Sequence, residues 1–282
     1  MTPNKQHPLV HIYYHTDNHR ATIWAKKIQI WLTKQNIPLS SDGIRAHIII
    51  VLGGDGTILE AARIFQKNHR IILGLNLGSV GFLASVRNEK DFIPRLTQFF
   101  IGEYTTMKRM MLSVRVERNK KIVFHSNALN EVVIQNPLGI SETEVYIEKH
   151  SAQFIRGSGL LIATATGSTA FNLSAHGPIV MPDIPCMIIT ELLDHNMPTP
   201  SMVINANKHI TIYIKDFRKQ GLLANTATAE ALDVVLSTDG ANIFVLKKAD
   251  SIHINRSARS VRFAELEKSY FLKSIQEKFS FR

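Results

Sequence analysis

One continuous apolar run, Ala46 to Leu52, ends in Gly53-Gly54-Asp55-Gly56-Thr57 and passes directly into helical spacing from Thr57 to about Lys67. An apolar run of that length bounded by glycine reads as a buried strand. A strand apolar on both faces belongs in a parallel sheet covered by helices. The flanking segments agree. Leu9 to Tyr14 is a β-branched and aromatic run, and Arg20 to Gln35 has helical spacing through Ile23, Trp24, Ile28 and Trp31 or Leu32. Ile71 to Leu75 is a further strand, and Glu89 to Ile101 a further helix. The order strand, helix, strand, loop, helix, strand predicts an α/β domain with a parallel sheet.

The junction after Leu52 points to phosphate chemistry. Its three glycines let the main chain approach a bulky anion and take dihedrals closed to other residues. The helix start that follows offers unpaired N–H donors and a favourable dipole. A carboxylate in such a loop is electrostatically expensive. It makes sense if Asp55 holds the metal that accompanies ATP, or takes a proton from a hydroxyl. The competing reading is a tight turn that happens to be rich in glycine. The segment is neither a Walker A loop nor a spaced dinucleotide fingerprint.

From Tyr104 the pattern changes to short alternating strands: Met111 to Arg118, Lys121 to His125, Glu131 to Gln135, Val145 to Ile147 and Phe154 to Arg156. Asn119-Lys120 suits a tight turn between the first two. Met202 to Asn205, His209 to Lys215, Asp233 to Ser237, Asn242 to Lys247 and Ser251 to Asn255 continue the series, and Glu265 to Phe279 is helical. This predicts a second, β-rich domain of the sandwich type.

Two segments there have chemical character. Asn127-Ala128-Leu129-Asn130-Glu131 places an amide and a carboxylate at a strand mouth, where they can hydrogen-bond sugar hydroxyls. Gly157-Ser158-Gly159-Leu160 leads into Thr164-Ala165-Thr166-Gly167-Ser168-Thr169-Ala170-Phe171, whose small residues suit close contact with a planar ligand. Each alone reads equally as a strand end or a Ser/Thr-rich turn.

Composition narrows the class. The chain has 282 residues, 45% apolar and 20% charged, which is ordinary for a globular protein. Lysine and arginine exceed acidic residues by 10 (33 − 23), which suits anionic partners such as nucleotides. The densest basic stretch, Lys108 to Lys121, alternates with Met110, Leu112, Val114 and Val116 and reads as a solvated sheet face. No nucleic-acid-binding signature accompanies it. No run reaches membrane-spanning length, and Met1 to Pro8 lacks the apolar stretch of a signal peptide. The single cysteine, Cys186, excludes an intrachain disulfide, fits a reducing cytoplasm and reads as a small apolar filler. His7, His11, His15 and His19 recur every fourth residue, but Pro8 and the strand from Leu9 break the helix that would align them on a metal. A serine-hydrolase nucleophile elbow is absent.

Taken together, the segments around Asp55, Asn130-Glu131 and Gly157 to Phe171 resemble the NAD kinase family in order and separation. Weaker similarity lies in Asn76 to Leu83 with Gly81-Phe82-Leu83, in Asp239-Gly240 and in Ser269-Tyr270-Phe271. The resemblance implies a Rossmann-like domain over 1–103, a β-sandwich NAD-binding domain over 104–262, and a C-terminal helix over 263–282 that returns to the first domain. It implies a cytoplasmic homodimer or homotetramer that phosphorylates the 2′-hydroxyl of the adenosine ribose of NAD. ATP or polyphosphate is the donor, with Mg²⁺ or another divalent metal and no fixed protein ligands for it. By resemblance, Asp55 is the base, Gly53, Gly54, Gly56 and Thr57 admit phosphates, and Asn130 and Glu131 hold the ribose and adenine region. Thr166, Thr169, Ala170 and Phe171 line the adenine pocket, with Phe82 beside the ligand. Arg156, Ser158 and Ser174 complete the nucleotide contacts, and Asp239 is offered across a subunit interface.

Four departures from the family pattern stand out. Ser158 replaces an Asp associated with the nicotinamide end, which removes a charge that favours oxidised nicotinamide. Phe171 replaces Tyr, Ala165 replaces Pro, and His176 replaces Gly. Two rival functions follow from the sequence: a lipid or sphingoid-base kinase sharing the glycine-rich loop, and a dinucleotide-binding sensor that has lost catalysis. The Asn130-Glu131 pair and the Thr164 to Phe171 stretch oppose the first, and an intact Asp55 opposes the second.

Overall fold

A computed structural model describes residues 8–66, 70–79, 81–195, 199–224 and 231–279. The chain divides into two compact units, Met1–Arg109 together with Arg259–Arg282, and Met110–Ala258.

The first unit holds β1 (Val10–Tyr14), α1 (His19–Lys34), β2 (Ile48–Gly53), α2 (Asp55–Ile64) and β3 (Ile71–Asn76). A short 3-10 turn, Glu89–Asp91, leads into α3 (Phe92–Phe100). β1 pairs in parallel with β2, and β2 with β3. Every residue of β2 is buried, as expected for a strand covered on both faces. Asn18 caps α1 by accepting the Ala21 N–H at 3.1 Å. Ala21, Ala25, Ile28 and Leu32 form its buried stripe, packed with Leu52, Leu73 and Phe92.

The second unit is antiparallel throughout its described pairings. It contains most of β4 (Thr105–Arg118), then β5 (Lys121–Ala128), β6 (Glu131–Gln135), β7 (Ser141–Ile147) and β8 (His150–Thr164). A turn of helix, α4 (Phe171–Ser174), precedes β9 (Cys186–Asp194), β10 (Met202–Asn205) and β11 (Ile210–Phe217). β12 (Val235–Thr238), β13 (Ala241–Val245) and the long β14 (Ser251–Glu265) follow. Asn119 and Lys120 have φ of 52° and 61°, so the β4–β5 hairpin turns through two left-handed residues as its sequence predicts. The core is a dense cluster that includes Leu112, Val114, Ile134, Ile155, Leu160, Ile189, Ile212 and Ile254.

β14 serves both units. Its start pairs antiparallel with β11, and its end pairs in parallel with β3 through Arg262 and Phe263. α5 (Tyr270–Phe279) then lies within the first unit. Arg87 fastens it there: its Nη2 donates to Tyr270 O at 2.9 Å and Ser274 Oγ at 2.8 Å, and its guanidinium pairs with Glu277. The fold is thus α/β with a parallel sheet, followed by a largely β region and a helix that returns. Among the described residues, no helix is long and apolar enough to cross a membrane.

Several elements differ from the sequence reading. β9 was not expected, and Cys186 lies buried at its start, where burial raises its thiol pKa. β8 extends far beyond Phe154 to Arg156 and runs through Gly157-Ser158-Gly159. At that point β8 exchanges partners, pairing with β7 up to Gly157 and with β6 from Gly159. Gly159 has φ +149°, and a Cβ on it would overlap the Ile134 carbonyl. Gly157 and Gly159 therefore make room for the main chain of neighbouring strands. β14 runs to Glu265, and the terminal helix begins at Tyr270 rather than Glu265.

Asp250 is the most deeply buried charge described, with its side chain fully enclosed and that of Arg118 about 23% exposed. Arg118 Nε and Nη2 each donate to it at 2.8 Å, and the Lys247 N–H adds a third bond of 2.8 Å. Asp250→Ala removes the shared acceptor from the Lys247 N–H and from the Arg118 guanidinium, which keeps its bond to Val245 O. Its expected cost is about 3 kcal/mol, the lower end for a broken buried pair because Arg118 keeps some water. Urea denaturation monitored by circular dichroism measures it; a loss below about 1 kcal/mol contradicts this role.

Candidate active site

Asp55 lies in the first turn of α2, not in the loop before it. Its Oδ2 accepts the Phe82 N–H at 2.7 Å and its Oδ1 the Leu83 N–H at 3.1 Å. The carboxylate lies so close to the intervening chain that a Cβ on Gly81 would overlap it. Two rigid donors and a glycine thus fix both its position and its plane. Each oxygen keeps lone-pair capacity beyond the N–H it accepts.

The glycines beside it work differently from expectation. Gly53, Gly54 and Gly56 are not among the residues with positive φ. Gly53 is required because the Thr57 side chain lies over it, while Cβ atoms on Gly54 and Gly56 would meet open space. Gly54 caps α2 in an extended conformation without a side-chain bond. What the segment offers a phosphate is access and the first N–H groups of a helix, not unusual dihedrals.

Phe82 is only 5% exposed, and its ring packs 5.6 Å from Phe271, with Lys278 Nζ 4.9 Å from its centroid. It is the main-chain N–H of Phe82, not the ring, that serves Asp55. Nothing in the sequence marks a backbone donor of this kind; the only sign is glycine at position 81.

The second unit has its own cluster. Asp239, which has a φ of 52°, accepts the N–H groups of Leu129 at 2.8 Å, Asn130 at 2.7 Å and Glu131 at 3.2 Å. Both its oxygens accept main-chain N–H groups of its own chain. Thr164 ties in the next segment: its N–H donates to Asn130 O at 2.8 Å and its hydroxyl to Leu129 O at 2.6 Å. A Cβ on Gly167 would overlap the Asn130 carbonyl. Thus Asn130-Glu131, Asp239 and the Thr164 to Phe171 stretch form one interlocked group.

Glu131 is the electrostatic centre of this group. It is 6% exposed, takes a bond from the Phe171 N–H, and leaves Oε2 buried without a partner. Burial, reinforced by the nearby Asp239 charge, pushes its pKa up to about 8. Thr166 and Thr169 are buried, Thr169 Oγ1 bonds Thr166 O at 3.3 Å, and Ala170 is half-buried. Phe171, Ser158 and Ser174 share a cavity of about 460 Å³ with Gln135, His176 and Glu191. That size is within the range of small-ligand sites. Arg156 is occupied elsewhere, with its Nε 3.3 Å from Glu142 on the neighbouring strand. His176, which replaces the family glycine, has φ +61°, a conformation that glycine takes without strain.

Two profiles of one family match this chain: the ATP-NAD kinase N-terminal domain over residues 39–104 and the C-terminal domain over 129–266. NAD kinase of Geobacter metallireducens is 35% identical over 243 residues, spanning 85% of this chain and 79% of that protein. NAD kinase of Natranaerobius thermophilus is 34% identical over 263 residues, spanning 89% and 87%. The chain belongs to the NAD kinase family. It is therefore a phosphotransferase enzyme, and the lipid-kinase reading falls away. Solved structures carry the same fold across the whole length. Yeast NADH kinase, solved with NADH, superposes with a TM-score of 0.82 at 18% identity over 99% of this kinase and 89% of that chain. The Archaeoglobus fulgidus NAD kinase, solved with ATP, gives 0.77 at 21% over 97% and 100%.

Two outcomes test the geometry. Gly81→Ala pushes the Asp55 carboxylate off its two donors. The kinase should lose about 10²-fold in kcat, the scale of an ångström-sized misplacement, with a much smaller change in the KM for NAD. Wild-type kcat in this variant contradicts a positioned carboxylate. Glu131 has a sign that can be worked out. Between its ordinary value of 4.5 and about 8, the native chain keeps a proton that the unfolded chain has released. Its contribution to stability is complete below the lower value and is lost as pH rises towards the upper one. Glu131→Gln should flatten that decline, visible as a smaller shift in urea midpoint between pH 5 and pH 8. Identical pH dependence in the two proteins removes Glu131 as its source.

Proposed function

We propose that this kinase transfers the terminal phosphoryl group of ATP to the 2′-hydroxyl of the adenosine ribose of NAD, giving NADP. The observation that carries the reading is the Asp55 carboxylate, fixed by the Phe82 and Leu83 N–H groups at the head of α2. A carboxylate so held can take the hydroxyl proton as the ribose oxygen attacks phosphorus and ADP departs. The N–H groups at the start of α2, beside Gly54 and Gly56, receive the donor phosphates. A divalent metal such as Mg²⁺, carried by the triphosphate, supplies charge neutralisation for the transferring group.

The cluster around Glu131 takes the NAD side. Its buried, unpartnered Oε2 suits a ribose hydroxyl or an adenine amine, with Asn130 beside it. Asp239 holds that pair in place through main-chain bonds. Thr166, Thr169, Ala170 and Phe171 line the adenine region, and the cavity with Ser158 and Ser174 accepts the rest of the dinucleotide. The same reading takes the enzyme as a cytoplasmic homodimer or homotetramer, with NAD and ATP as its small-molecule substrates.

The test is incubation with NAD, ATP and Mg²⁺, with the product read by a dehydrogenase strictly dependent on NADP. A phosphorylated dinucleotide that such an enzyme rejects places the phosphate elsewhere than the 2′ position. Asp55→Asn should lower kcat by roughly 10²–10⁴, the worth of a positioned base. Asparagine also turns one acceptor into a donor facing an N–H, so some stability is lost. Activity is therefore normalised to the folded fraction. A loss that vanishes on normalisation leaves Asp55 a structural residue only.

A further inference from the structure

Away from these clusters, the second unit sets two histidines against each other. Thr211 on β11 lies directly opposite His253 on β14, and Tyr213 opposite Ser251. His209, two residues before Thr211, shares its face. His209 Nε2 is 3.4 Å from His253 Nδ1, with the rings 5.6 Å apart and only 24° from parallel. Thr211 Oγ1 is also 3.4 Å from that Nδ1. The other ring nitrogen of His253, Nε2, faces Ser251 Oγ at 3.3 Å and Glu117 Oε2 at 4.0 Å. Glu148 Oε1 accepts the His209 main-chain N–H at 3.2 Å. Two carboxylates thus flank the pair, and Arg115 is the opposing cation.

As a hydrogen bond, 3.4 Å between ring nitrogens is long. As the separation of two ligands on one ion it fits well. Metal–nitrogen distances of about 2.0–2.1 Å across that gap subtend close to the tetrahedral angle. A partner on the second ring nitrogen fixes the tautomer of a ligating imidazole, and Ser251 Oγ, 3.3 Å from His253 Nε2, is that partner. Among the described residues, no group of three or more His, Cys, Asp or Glu is arranged to close round a metal. The remaining positions therefore fall to Thr211 and water.

We propose that His209 and His253 bind one divalent transition-metal ion of the imidazole-preferring class, represented by Zn²⁺ or Ni²⁺, and so clip β11 to β14. The oxygen-preferring Mg²⁺ of the kinase reaction does not compete for it.

The experiment titrates chelator-stripped, full-length protein with Zn²⁺ in the presence of excess Mg²⁺, by calorimetry and by competition with a zinc-responsive dye. One saturable equivalent is expected, together with a Tm that rises with Zn²⁺ concentration. His209→Gln and His253→Gln should each weaken binding at least about tenfold and abolish the rise in Tm. Matching urea midpoints without metal show that the variants fold. A His11→Gln/His15→Gln/His19→Gln variant keeps the equivalent if the site is where it is placed. Absence of saturable binding, binding unchanged in both His209→Gln and His253→Gln, or loss confined to the triple variant each overturns the proposal.

Discussion

In both units a carboxylate is pinned by main-chain N–H groups from a distant stretch of sequence, and the candidate site residues of each unit are organised around its own anchor. Asp55 reaches across to Phe82 and Leu83; Asp239 reaches back to Leu129, Asn130 and Glu131. Main-chain donors cannot change rotamer, so such a bond fixes geometry more firmly than one between two side chains. The consequences differ. At Asp55 the anchored group is itself the proposed base. At Asp239 the anchored segment carries Asn130 and Glu131, and the charge of the anchor adds to the burial that raises the Glu131 pKa to about 8.

The support behind Asp55 extends to the C-terminus. The segment that donates to it carries Phe82, which packs on Phe271, and Arg87, which holds Tyr270, Ser274 and Glu277. The last helix is therefore the backing of the chain that orients the carboxylate. Ser85 Oγ donates to Ala264 O at 2.6 Å and continues the same seam along β14. A residue near the C-terminus can thus influence chemistry near the N-terminus with no direct contact to substrate.

How legible this was depended on which physical signal each part leaves. Strands with a strong apolar pattern, such as β2 and β6, were placed within two residues of their observed ends, and the Asn119-Lys120 turn announced itself through its residue types. β9 was missed because its apolar run follows Pro178, Pro182 and Pro185, which read as loop. β8 and β14 were drawn too short because each crosses residues that usually end strands: Gly157 and Gly159 in one, a run of arginines in the other. Among the candidate site residues, Asp55, Asn130 and Glu131 stand out in the sequence by their chemistry. The donors at Phe82 and Leu83 do not, since any residue but proline supplies an N–H. The meaning of the glycines was also inverted. Gly157, Gly159 and Gly167 make room for the protein's own main chain, and Gly81 makes room for a catalytic candidate.

The passage of β14 through both units carries a consequence for how the polypeptide is made. Strand β3 gains its second parallel neighbour only when Arg262 and Phe263 have been synthesised. Most of the second unit, Met110–Ala258, is synthesised before that pair can form. For most of translation the first unit is therefore a β-edge without its final strand, the kind of surface that recruits other chains. Ribosome stalling or premature release before position 262 leaves an α/β fragment with that edge open.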